Sequence, residues 1–309
     1  MSPASNHWRR RGPRAQVNPR GPNPKPNPLH PRCIPFLPSE DVTGRYYATI
    51  YRVKPTGAQA AGLDTFPGTP PGRHPTPRPD EGLGIMSVQV TPHPEWVVDL
   101  DRALEPHRLA VLTTPVVEHS AENTLVEQRM QDFLLAFYPI IRDFPQWLQL
   151  LLDRSPPESA VFFRDNIRVE RRHDAMWRAM GDAFGVPKGR FQRQLPMLAA
   201  VRDFHDFLSA SCQVASFAEG VAATNYAVEG VAQRISEKAL RGLGKNEKLG
   251  PRGRWWLEEH AKYDDEHPVH ALEIIKARVA HGEDPEAVTA AAIHSLTLMR
   301  DAMLEAYRP

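Results

Sequence analysis

Glu170 and His173 interrupt a run of large apolar residues, Phe163, Ile167, Trp177, Met180 and Phe184, that recurs at three- and four-residue steps. That spacing is one face of an α-helix, so the carboxylate and the imidazole face the interior. A buried, unpaired carboxylate is costly, and the pair must be hydrogen-bonded, neutralised or bound to a cation. Glu-x-x-His sets two ligands about one turn apart, an arrangement that chelates a single metal ion. Two further segments carry the same kind of signal. Between Asp206 and Arg234 the only charged residues are Glu219 and Glu229, in a stretch apolar nearly all round and therefore buried. Further on, His260, Asp264 and His267 share a stripe with Leu257, Ala271 and Ile274. Imidazole with carboxylate suits iron, manganese or zinc, and no cysteine takes part.

Each element has a plainer reading. Glu170 and His173 could be an intrahelical pair bonded to a neighbouring arginine, since buried polar groups are mostly satisfied by protein partners. The His260, Asp264 and His267 trio could be the solvated face of a charge-rich helix, against which the apolar positions Leu257, Ala271 and Ile274 argue. The order along the chain weighs more than any single pair. Bundles that hold two metal ions use a Glu from each of two helices and a Glu-x-x-His from each of two others. Here a segment with Glu118, Glu122 and Glu127 precedes Glu170-x-x-His173, then Glu229, then Asp264-x-x-His267, with His260 additional.

The elements that must position these groups are helices. From about Pro115 the chain is rich in Ala, Leu, Glu and Arg, and nothing reads as a sheet. The spacing predicts helices over 118–152 (bent at Pro139 and Pro145), 157–184, 191–209, 213–243, 254–281 and 284–306. The expected fold class is an all-α bundle. Of 31 prolines, 19 fall before residue 95, and a run such as Asn18-Pro-Arg-Gly-Pro-Asn-Pro-Lys-Pro-Asn-Pro28 forms neither helix nor central strand. Residues 1–95 are therefore expected to be a basic, largely disordered segment, with some strand character at 45–53, and 96–309 a helical metal-binding domain.

The chain of 309 residues has a formal charge of +1, so bulk charge points to neither a nucleic-acid nor a membrane partner. Two cysteines build no disulfide framework, and a reducing cytoplasm is the expected location. No apolar run is long enough to span a bilayer, and the N-terminus lacks the apolar middle of a secretory signal.

The segment from about Glu118 to Ala306 resembles the haem-oxygenase-like di-metal oxidases, relatives of the pyrroloquinoline-quinone synthase (PqqC-like) and thiaminase (TenA-like) folds. The resemblance rests on Asn166-Ile-Arg-Val-Glu170-Arg-Arg-His173 with Met176-Trp177 and Gly181-Asp-Ala-Phe-Gly-Val186; on Ala222-Ala-Thr-Asn-Tyr-Ala-Val-Glu229-Gly230; and on His260-x-x-x-Asp264-x-x-His267. It implies a seven-helix bundle, often dimeric, that takes up Fe(II), two ions per chain, and uses O2 to oxidise an amine, an amino acid or a carboxylic acid. The implied ligands are Glu170, His173, Glu229, His260, Asp264 and His267, with Glu219 as an alternative or supporting acid and Tyr226, Tyr263 or Asn225 orienting them. The sequence departs from the family at the further acid many members carry on the first core helix. The alignment there meets Ala136–Phe137, so Glu127 or Glu122 would have to serve. Two other readings keep the fold: a metal-free TenA/PqqC-like oxidase or hydrolase, in which Cys212 would be the nucleophile candidate, and a non-catalytic metal-binding bundle. His205 and His294 read as ordinary helix histidines, and His270 as a neighbour of the ligands.

Overall fold

The computed structural model describes residues 89–308 other than Lys188, Gln194, Asp264 and Asp265. The expectations of disorder before residue 89 and of strand character at 45–53 lie outside the described residues, as does Asp264. Among the described residues the secondary structure is entirely helical. The order is α1 Glu95–Leu112, α2 Pro115–Glu122, α3 Glu127–Asp153, α4 Ala160–Ala183, α5 Ala199–Gln213, α6 Phe217–Val221, a π-helix Ala222–Glu229, α7 Gly230–Leu243, α8 Gly250–Tyr263, α9 Glu266–Ala280 and α10 Pro285–Ala306. α3 packs on α4 and α5, α4 on α8, and α2 on α7, while α10 lies against α1, α5 and the π-helix. Phe163, Phe204, Leu134, Leu148 and Leu208 are fully buried where these helices meet.

Where the helices differ from the sequence reading, local chemistry explains the difference. The first expected helix is two, because Asn123 sits in the left-handed region at φ 55° and closes α2. Asparagine tolerates that conformation better than most residues. The third begins at Ala199, not near 191, because Pro196 donates no hydrogen bond and disfavours helical geometry at Leu195. Its exposed first turn is closed from outside: the Ala200 amide donates to Glu305 of α10 at 2.6 Å. The third runs on to Gln213, so the fourth starts later than expected, at Phe217, where Ser216 and Glu219 form a reciprocal capping box. The sequence reading has no counterpart of α1, whose buried stripe Val97, Leu100, Leu104, Arg108 and Val111 keeps helical spacing past the internal Pro106.

Candidate metal centre

α4 delivers the first pair as expected. Its register is set against α3 by Trp177, whose Nε1–H donates to the Leu134 carbonyl at 2.8 Å. Glu170 and His173 are both buried, and Nδ1 of His173 lies 2.7 Å from Oε2 of Glu170. Asn166, one turn earlier on the same face, is completely buried.

Glu229 arrives by a different device. It is the last residue of the π-helix, all of whose residues are buried. A π turn is wider than an α turn and rare, and it often marks a functional site. Side chains support the widened backbone: Thr224 donates to the Gly220 carbonyl at 2.8 Å, and Ser295 of α10 donates to the Ala223 carbonyl at 2.7 Å. The Glu229 carboxylate is held on one side only. Its Oε1 accepts from Nδ2 of Asn225 at 2.8 Å and of Asn166 at 3.0 Å. Oε2 is buried and has no hydrogen-bond partner.

His260 lies on α8 and His267 on α9, and Asp264 and Asp265 between them lie outside the described residues. α8 ends at Tyr263 and α9 starts at Glu266. His260 donates Nδ1–H to the Trp256 carbonyl at 2.8 Å, which leaves the lone pair on Nε2. Its ring lies between Trp256 and His173, with centroids 3.9 and 4.4 Å away.

Together these elements bring Glu170, Glu229 and His267 into one group whose nearest ligand atoms all lie within 4.8 Å of one another. His173 adjoins it through its bond to Glu170, and His260 through its stack on His173. Nδ1 of His267 is 3.2 Å from Oε2 of Glu229, yet the two are not aligned as a hydrogen bond, so both buried atoms are orphaned. A carboxylate oxygen and an imidazole nitrogen, buried as an ion pair but without a hydrogen bond, are what a bound cation would satisfy. The set of oxygen and nitrogen donors fits iron, manganese or zinc.

The electrostatics point the same way. Burial raises the Glu229 carboxyl above its usual range despite His267 beside it. Burial works against the charged ring of His267, but Glu229 outweighs it and holds the imidazole above its ordinary value. Burial, and then the proximity of His173, push His260 well below its ordinary 6.5, so it is neutral at pH 7 and ready to act as a ligand. Below pH 6.5 the unfolded chain protonates His260 while the folded chain does not, so stability from this group is complete above that pH and is lost as the pH falls. Thermal melts of the metal-free protein should therefore decline more steeply from pH 6.5 to 5 in wild type than in His260→Asn. Equal slopes would show that His260 takes up a proton freely in the fold.

The remaining candidates lie elsewhere. Glu122 and Glu127 are exposed, Glu118 pairs with Lys238 at 2.5 Å, and Glu219 is occupied in the capping box of α6. The buried acid of α3 is Asp143. Burial raises its carboxyl, but hydrogen bonds from Arg142 and His205 outweigh that and bring it down to about 2. The α3 residues that face the cluster are Met130, Phe133, Phe137, Ile140, Ile141 and Phe144, so among the described residues this helix supplies no acid there. Asn225 orients Glu229, whereas Tyr226 points to α1 and donates to Asp101 at 2.5 Å. The side chain of Tyr263 lies outside the described residues. His270 packs on Phe162, and His294 on Phe207. Cys212 is fully buried, and burial pushes its thiol up to about 12, which suits packing and not nucleophilic attack. Sequence reasoning missed Asn166 and Trp256. Asn166 lies one turn before Glu170 on the same stripe, a signal that was available.

A cavity of about 100 Å³ opens beside Glu170, His173, Glu229 and His260. Its other walls, Ser120 apart, are apolar side chains of α2, α3, α4, the π-helix, α7, α8 and α10.

Comparison with known proteins places this geometry. No curated protein sequence matches the chain significantly. A TenA homologue from Pseudomonas syringae pv. tomato superposes with a TM-score of 0.64 at 23% identity, over 71% of this chain and 98% of its own. A domain of unknown function with a haem-oxygenase-like fold from Shewanella denitrificans gives 0.57 at 14% identity, over 68% and 91%. A TenA homologue from Pyrococcus furiosus gives 0.55 at 16%, over 69% and 98%. These likenesses establish the haem-oxygenase-like fold. The family model described as "Iron-containing redox enzyme" matches residues 131–300, more than half of the chain and the whole of the span that carries Glu170, His173, Glu229, His260 and His267. The chain belongs to this haem-oxygenase-like family of iron-containing redox enzymes.

Proposed function

We propose that the protein is a non-haem iron oxidase or oxygenase that uses O2 to oxidise a small organic molecule. The observation that carries the reading is the orphaned pair of Glu229 Oε2 and His267 Nδ1, buried next to Glu170 in a chain of an iron-containing family. Glu170, Glu229 and His267 would hold one Fe(II). His173, His260 and Asp264 would contribute to a second, which binds more weakly because α3 offers no acid on that side. Iron, when bound, supplies the redox chemistry and the activation of O2.

The chain's own residues do the rest. Asn166 and Asn225 fix one oxygen of Glu229, so that the other is presented without rotational freedom. The Trp256 carbonyl fixes the tautomer of His260. Apolar walls exclude water from the side on which substrate would lie, which strengthens every electrostatic interaction in the site.

The test is anaerobic Fe(II) titration followed by O2 mixing. We expect one tight and one weaker equivalent of iron per chain, consumption of O2 and a transient visible absorbance. Less than half an equivalent bound, or an O2 reaction unchanged in Glu170→Gln, would sink the reading. A metal-free enzyme of the same fold would use the Glu170–His173 pair for acid–base work, and it predicts full turnover in chelator-treated protein. A non-catalytic bundle predicts O2 consumption with no organic substrate altered.

A further inference from the structure

The π-helix that ends on Glu229 has a second register close at hand. An α turn holds about 3.6 residues, and a π turn, bonded to the fifth residue instead of the fourth, holds more. Relaxation to α geometry would turn Glu229 away from the cluster, since a slip of one residue alone is about 100°. The bond from Asn166 of α4 to Oε1 would then be lost, as would the approach of Oε2 to His267. The hydrogen bonds from Thr224 and Ser295 brace the carbonyls of Gly220 and Ala223, at the start of this segment.

Its end is held by α1. Asp101, Glu105 and Arg108 recur at four- and three-residue steps, within an arc of about 60°. This charged stripe runs beside the apolar one, Val97, Leu100, Leu104 and Val111, that packs α1 into the bundle. Oδ1 of Asp101 accepts from the Tyr226 hydroxyl at 2.5 Å and from Arg108 at 3.0 Å. The Arg108 guanidinium also lies over the Tyr226 ring, 5.5 Å from its centroid. Glu105 takes both terminal nitrogens of Arg234, at 2.9 and 3.0 Å. Tyr226 precedes Glu229 by three residues and Arg234 follows it by five, so α1 grips the chain on both sides of the ligand. Tyr226 and Arg108 are buried.

Such contacts stabilise little by themselves. Taking a carboxylate, a guanidinium and a phenol out of water offsets most of what their pairing returns, and apolar side chains often pack as well. What buried polar pairs add is direction, because they are satisfied in one register and not in its neighbours. We propose that Asp101, Arg108 and Tyr226, with the Glu105–Arg234 pair, are positioning residues that lock the register of the π-helix and so hold Glu229 in place for a metal ion. The proposal rests on the reading of the cluster as a metal centre, and it names what sets that centre's geometry from outside.

The test compares wild type with Asp101→Leu/Arg108→Leu/Tyr226→Phe, which removes the polar set together and strands no charge. Three quantities are measured: the thermal melt and hydrogen–deuterium exchange of the metal-free proteins, and Co(II) titration followed by visible absorption. The variant should melt at or above the wild-type temperature. Residues 222–229 should exchange at least about tenfold faster, while α5 exchanges as in wild type. Co(II) should bind about 10–100-fold more weakly, with a changed absorption band. Tyr226→Phe alone should show the last two changes to a smaller degree, and it decides the matter where the triple variant fails to fold. Unchanged exchange at 222–229, faster exchange in all helices alike, or a lowered melt with Co(II) affinity within about twofold of wild type would overturn the proposal. No uptake of Co(II) by wild type would sink the metal-centre reading instead, and the exchange measurement then decides the lock by itself.

Discussion

Glu229→Gln is expected to lower Fe(II) affinity by at least about 100-fold while leaving the metal-free protein as stable as wild type or more so. The two halves have one cause. Glu229 is a carboxylate that burial penalises and that the fold satisfies at Oε1 only. In the glutamine variant the amide oxygen still accepts from Asn166 and Asn225. The amide nitrogen takes the place of Oε2, where it can donate to Nδ1 of His267, now 3.2 Å away across an unmade bond. The desolvation of a charge is removed, and His267, no longer held above its ordinary value by Glu229, stays neutral so that Nδ1 can accept. No unpaired charge is left behind, and the variant should fold well. What disappears is the anionic ligand. Isothermal titration with Fe(II) under nitrogen and a thermal melt without metal measure the two halves separately. If Glu229 were an ordinary structural carboxylate, the melt would fall and the weak residual metal uptake would not change.

Gly242→Ala should destabilise the fold by about 3 kcal/mol or more and lower the melting temperature by roughly 6–12 °C. A Cβ at position 242 would lie 2.3 Å from the Ser120 carbonyl oxygen, 2.5 Å from that of Ala121 and 2.6 Å from the Asn123 amide nitrogen. All three are backbone atoms at the C-terminal end of α2, and backbone cannot swing aside as a long side chain can. The helices would have to separate. α7 carries Ala232, Ile235, Ala239 and Leu243 of the cavity wall and begins directly after Glu229, so ligand and metal binding should weaken with stability. Circular-dichroism melts of both proteins check the size of the effect. A loss under about 0.5 kcal/mol, the range of ordinary surface changes, would mean that α2 and α7 are less closely packed than this.

The all-helical architecture and the identity of the clustered residues were legible because both follow from periodicity. Glu170 and His173 interrupt an apolar stripe, and an ionisable group at a core position must have a partner. Glu229 stands nearly alone in a segment otherwise without charge. Such inferences need only the geometry of one helix, which the chain carries locally. α1 was equally legible from Val97, Leu100, Leu104, Arg108 and Val111, but the proline-dense stretch before it drew the expected start of the helical region downstream.

Four decisions were made by tertiary structure. The π-helix that ends on Glu229 rests on Ser295 from α10 and on burial from all sides, so no local propensity announces it. His260 lies on α8 and His267 on α9, and only the packing of α8 on α4 and of α9 on the π-helix brings both to one centre. Glu219, chemically equal to Glu229 in sequence, is spent on a helix cap because it lies three residues after Ser216. The orphaned atoms of Glu229, His267 and Trp256 exist only where several helices meet. Periodicity along the chain therefore determined which residues face inward and that Glu170 could meet His173 on one helix, whereas only the assembled bundle decided which residues of different helices meet there, because a hydrogen bond or a metal site needs atoms within about 3 Å and the spacing along one helix says nothing of its neighbours.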